Sequence, residues 1–155
     1  MAVQTPIRPA SAATLDEQVL ATLRRWSPHL MRWALGLVFV WFGALKVANV
    51  TPVATLVADT LAFVPLPSSF VLPALGVFEI AAGLALIAGV WLRPVLAVLV
   101  AHLAGTFLVL VTQPLVAFQD GNPFLLTTEG EFVIKNLVLI AGALLVAAFL
   151  PPRKG

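Results

Sequence analysis

The chain has 155 residues, of which 61% are hydrophobic and only 10% charged, with a formal net charge of +2 and no cysteine. A mean hydropathy of +1.04 fits no ordinary soluble domain, in which roughly a quarter of the residues are charged. The missing cysteines exclude dithiol chemistry, thiolate zinc sites and cysteine-ligated iron–sulfur clusters, and no basic stripe with interleaved aromatics points to nucleic acid.

Residues 1–13 are small, polar and proline-containing, and read as a disordered tail. The first apolar span starts too late, after too much polar sequence, for a cleaved signal peptide. Thr14-Leu-Asp-Glu17 then has capping-box spacing. Leu15, Val19, Leu23 and Trp26 recur at helical spacing beside Arg24 and Arg25, which predicts a short amphipathic helix over 14–27 lying at the membrane interface. Ser27-Pro28 is expected to end it and turn the chain into the bilayer.

About 20 apolar residues cross a hydrocarbon core, and four segments qualify: residues 29–48, 70–91, 94–113 and 132–150. Leu92-Arg93-Pro94 makes the second and third a tight hairpin. Between the first two spans, Thr51-Pro52 reads as an N-cap with proline at N1, and Val53, Leu56, Val57 and Leu61 predict a surface helix stopped by Pro65 and Pro67. Between the last two, Asp120-Gly-Asn-Pro123 signals a turn, and Thr128-Glu-Gly-Glu131 has the capping-box spacing that would launch the fourth span. Residues 151–155 form a short tail. The expected fold is an all-α membrane protein, a four-transmembrane-helix bundle over residues 28–150.

Basic residues set the expected orientation. Arg8, Arg24, Arg25 and Arg32 cluster before or at the start of span one, Arg93 lies in the hairpin, and Arg153 and Lys154 follow span four. The two long loops hold Asp59, Asp120 and Glu129. Both termini are therefore expected in the cytoplasm.

A charge at the bilayer centre is costly and needs a partner or a purpose. At ~1.5 Å per residue, Glu79 lies roughly 13 Å deep in span two and His102 roughly 12 Å deep in span three, near the midplane of a core ~30 Å thick. Lys46 closes span one, and Lys135 and Asn136 open span four, all on the outer side. His102, Thr106 and Gln113 share a stripe on span three, Gly76, Glu79 and Gly83 one on span two, and Gly36, Gly43 and Lys46 or Val47 one on span one. Glycines at this spacing let helices approach closely. The pattern points to a polar chamber lined by Glu79 and His102, with Lys46, Lys135 and Gln113 towards its outer mouth.

Each residue also has a structural reading. Lys46 and Lys135 are placed to snorkel to outer headgroups, Glu79 to be a paired or protonated structural carboxylate, and His102 to be a hydrogen-bonded packing residue. Thr106 and Gln113 suit helix–helix hydrogen bonds, and Trp26, Trp33 and Trp91 suit interfacial anchors. A bis-histidine haem needs two histidines at matched depth, and His29 lies near the inner boundary. No P-loop, dinucleotide fingerprint, HExxH or nucleophile elbow is present, and no metal site is expected.

At these residues the chain resembles the DoxX-like family of small four-helix membrane proteins. The resemblance rests on Gly36-Leu-Val-Phe-Val-Trp-Phe-Gly43-Ala-Leu-Lys46, on Gly76-Val-Phe-Glu79 with Gly83, Gly89 and Arg93, and on Glu129-Gly-Glu-Phe-Val-Ile-Lys135-Asn136-Leu. The last block is also similar to inner-membrane proteins tied to reactive-chlorine resistance. The resemblance implies a bacterial inner-membrane protein linked to redox metabolism, and marks Lys46, Glu79, Lys135 and Asn136 as its polar set. Some relatives are subunits of a thiosulfate:quinone oxidoreductase, whereas the lack of cysteine here argues against direct thiol handling.

The expected function is an accessory membrane subunit of a quinone-linked or oxidant-defence system, not an enzyme by itself. Its chamber would bind a quinone headgroup, with Glu79 or His102 exchanging the proton and Lys46 or Lys135 donating to a carbonyl oxygen. The alternatives are a small-molecule or lipid transporter acting as a homo-oligomer, and an assembly scaffold for other membrane or redox subunits.

Overall fold

The computed structural model describes residues 15–152. The expectations for the 1–13 tail, the Thr14 cap, Arg8, Arg153 and Lys154 lie outside the described residues. Among the described residues, four helical stretches are long and apolar enough to cross a membrane: Leu15–Val47, Ser68–Ala88, Leu92–Thr112 and Thr128–Ala148. In chain order the elements are α1 (Leu15–Val47), α2 (Ala54–Thr60), α3 (Ser68–Ala88), α4 (Leu92–Thr106), α5 (Leu108–Thr112), α6 (Pro114–Ala117), α7 (Thr128–Ile134) and α8 (Asn136–Ala148).

The predicted break between an interfacial helix and span one does not occur, and α1 runs unbroken through Pro28. Proline removes one intrahelical bond. The rest of the 33-residue helix keeps its backbone bonds on both sides of that single loss.

The hairpin boundary also moves. α3 ends at Ala88 with Gly89 left-handed at φ 77°, and the N–H groups of Gly89 and Val90 both bond back to the Ala85 carbonyl, a glycine-terminated helix end. Arg93 and Pro94 consequently lie inside the first turn of α4 rather than between the helices. Proline is tolerated there because first-turn N–H groups have no intrahelical acceptor.

α1 and α3 pack antiparallel along their glycines. A Cβ at Gly43 would stand 2.5 Å from the Gly76 carbonyl oxygen, and one at Gly83 would stand 2.6 Å from the Gly36 carbonyl oxygen. The backbones touch directly, which is how helices gain dispersion contact where lipid gives no hydrophobic drive. α8 packs against α1 and α4, completing the bundle.

Two apolar clusters divide the interior. Leu35, Phe39, Leu86, Leu99, Leu103 and Ala143 belong to one, and Leu56, Val109, Ala117 and Val133 form the other. Lys46, Glu79 and Asn136 are buried polar residues within the bundle.

The connection before α7 folds back on itself. Asp120 and Gly121 adopt positive φ values of 51° and 72°, Phe118 bridges to Leu126, and the Thr127 N–H donates to the Ala117 carbonyl. The N-cap of α7 is Thr127, not Thr128: its Oγ1 accepts from the Gly130 N–H at 3.1 Å. Likewise α2 forms where expected but is preceded by Val53 rather than capped by Thr51.

Candidate functional site

Lys46, Glu79 and His102, from three different helices, form one hydrogen-bonded array. Lys46 Nζ donates to Glu79 Oε2 at 2.7 Å, and Glu79 Oε1 lies 3.0 Å from His102 Nε2. Glu79 is 4% exposed and Lys46 8%. The glycine pairing makes the reach feasible, since the Lys46 stem passes over Gly76, one turn before Glu79 on α3. The His102 ring is held edge-on to Phe78, with centroids 5.4 Å apart, and tilted against Phe39 at 6.4 Å.

A second polar link lies beside the first. Asn136 Nδ2 donates to Thr106 Oγ1 at 2.8 Å, and Thr106 donates in turn to the Leu103 carbonyl. Both residues sit where a span tightens. The Phe107 N–H bonds to the carbonyl three residues back, and so does that of Val138. Such local 3₁₀ turns inside long helices often accompany functional positions.

These groups line a cavity of about 270 Å³, close to the lower end of small-molecule sites. Lys46, Glu79, His102, Thr106 and Asn136 supply its polar wall, while Phe42 and Phe132 are among its apolar lining residues, their rings 5.9 Å apart. Lys46 spends one of three N–H donors on Glu79. A lysine amine, a carboxyl group and an imidazole thus face a space otherwise lined mainly by apolar side chains, and they can donate to an oxygen acceptor or exchange a proton with it.

Gln113 and Lys135 depart from their expected places. Gln113 does not line the cavity; its amide donates to Thr60 Oγ1 at 2.5 Å and to the Leu56 carbonyl at 3.1 Å, pinning α2. Lys135 is turned outward, with its side chain 73% exposed and 3.3 Å from Glu131. Successive residues on a helix point about 100° apart, so the turn that brings Asn136 inward carries Lys135 to the surface.

One contributor was not anticipated as part of the site. α2, expected as a surface helix, covers the cavity with Leu56 and Thr60, both buried. The four-residue spacing of Leu56 and Thr60 was visible in the sequence. Only the tertiary structure shows it facing the bundle.

A helical bundle with four candidate membrane spans and a polar array lining an internal cavity defines a small multi-pass membrane protein. The chain belongs to the DoxX family, whose model matches residues 27–112. That match includes Lys46, Glu79 and His102, and ends before Asn136. No curated protein and no solved structure matches the chain.

Proposed function

We propose that the protein is an accessory membrane subunit of a redox or oxidant-defence system in a bacterial inner membrane, and that its cavity receives a quinone-type ring. The observation that carries this reading is the Lys46–Glu79–His102 array set into an apolar intramembrane cavity of about 270 Å³. The residues fit such a group. Lys46 has donors to spare for a carbonyl oxygen, the cavity wall accepts a flat apolar ring, and Glu79 and His102 hold a proton at hydrogen-bonding distance from one another. A bound quinone would supply the two-electron couple. The chain's own part is to orient the ring, exclude water and move the proton between Glu79 Oε1 and His102 Nε2.

The test is mass spectrometry of an organic extract from protein purified in mild detergent, beside Glu79→Gln. Stoichiometric quinone in the wild type, lost in the variant, supports the reading. A wild-type protein without ligand, whose Glu79→Gln variant loses thermal stability and partner recovery, would support an assembly scaffold instead. That second reading has its own support, because Glu79 ties α1 and α4 to α3.

The arginine-rich end of the bundle is proposed to face the cytoplasm. Arg24, Arg25 and Arg32 gather there beside Leu92, the first residue of α4, and Arg93 Nη2 donates to the Pro151 carbonyl at the same end. Reporter fusions after Pro152, active only in the cytoplasm, are expected to be functional; activity of periplasmic reporters would reverse the orientation.

A further inference from the structure

At the opposite end from Lys46, α1 carries Arg24, Arg25, His29 and Arg32 along one wall of a second cavity of about 180 Å³. Its other wall is apolar, made by Leu92 at the start of α4 and by Val146, Phe149 and Leu150 around the end of α8. No carboxylate lines it, and none of the ion pairs among the described residues involves its arginines. Three arginines therefore line one space without a counter-charge from the described residues.

Arg32 adds an independent observation. Its Nε is the one buried side-chain nitrogen or oxygen among the described residues that has no hydrogen-bond partner. Its guanidinium lies over Gly89 at the end of α3, where a Cβ would stand, and Gly89 is at φ +77°. A buried donor left unpaired is costly, and arginine's planar fork is matched to multi-oxygen anions such as phosphate.

We propose that this pocket binds the phosphate of an anionic lipid headgroup. Arg32 and its neighbours take the phosphate oxygens, and Val146, Phe149 and Leu150 contact the acyl-bearing side. A basic pocket between spans at the membrane surface suits that ligand. The apolar wall favours a lipid over free phosphate, which has nothing to place against it. The site is separate from the Glu79 cavity and shares no lining residue with it.

The experiment is native mass spectrometry of the full chain titrated with phosphatidylglycerol or phosphatidylcholine. The chains compared are wild type, Arg32→Gln, Arg24→Gln with Arg25→Gln, and Arg93→Gln as a control outside the pocket. Phosphatidylglycerol is expected to stay bound to wild type and to Arg93→Gln, and to bind roughly fivefold more weakly for each pocket charge removed, with phosphatidylcholine unaffected. Arg24 and Arg25 are exposed, so their variant keeps the test valid if Arg32→Gln folds poorly. Millimolar inorganic phosphate separates the two sources of the anion. Displacement of the lipid by phosphate would overturn the lipid assignment in favour of a free anion. Unchanged phosphatidylglycerol binding in the arginine variants would overturn the site.

Discussion

Asn136 Nδ2 donates to Thr106 Oγ1 across 2.8 Å, and this bond joins the third and fourth spans at the level where each tightens by a turn. Carbonyls and N–H groups are redistributed at such turns, and in lipid they must be satisfied from within the protein. The Asn136–Thr106 contact is therefore expected to matter more than an average side-chain hydrogen bond. Thr106→Val leaves the amide of Asn136, itself 6% exposed, without an acceptor, at a cost of about 1–3 kcal/mol. Chemical unfolding in detergent measures it. The Thr106→Val/Asn136→Leu double variant is expected to recover part of the loss, since no polar group is then stranded.

Breaking the buried ion pair should cost more than replacing it. Lys46→Met leaves buried Glu79 with His102 as its remaining hydrogen-bond partner, and removal of one partner from a buried ion pair costs about 3–5 kcal/mol. Lys46→Met with Glu79→Leu is expected to unfold at a temperature much closer to wild type. A double variant no more stable than the single one would show that His102, not Lys46, is the main partner of Glu79.

The glycine contacts differ sharply in tolerance. A methyl group at Gly43 meets backbone at 2.5 Å, whereas one at Gly105 meets nothing within 4 Å. Gly43→Ala is expected to push α1 and α3 apart and to lower the thermal midpoint in detergent by several degrees. Gly105→Ala is expected to be neutral or slightly stabilising, through reduced backbone freedom of the unfolded chain.

The cap of α7 offers a test that separates two neighbouring residues. Thr127→Ala removes the acceptor for the Gly130 N–H and is expected to cost about 1 kcal/mol. Thr128→Ala is expected to change stability by less than half of that. Hydrogen exchange at Gly130 reports the same difference locally, with faster exchange in Thr127→Ala alone.

Span number and apolar character were legible in the chain because they are additive properties. Twenty residues of sufficient hydropathy cross a bilayer wherever they sit, and a polar residue inside one is conspicuous without knowledge of its neighbours. Lys46, Glu79, His102 and Asn136 stood out on that ground alone. Periodicity also placed Gly36 with Gly43 and Gly76 with Gly83 on single helix faces.

Which faces meet is not additive, and only the tertiary structure decided it. Glu79 lies 33 residues from Lys46 and 23 from His102, and no local rule says that the three stripes converge. Lys135 and Asn136 are adjacent, yet the rotation of one helix about its axis turns one outward to Glu131 and the other inward to Thr106. Pro28 carries a strong local stop signal, yet α1 continues through it as one 33-residue helix, because a proline removes only one of that helix's backbone bonds. The sequence by itself thus determined what had to be buried in the membrane, while packing decided which buried groups became partners.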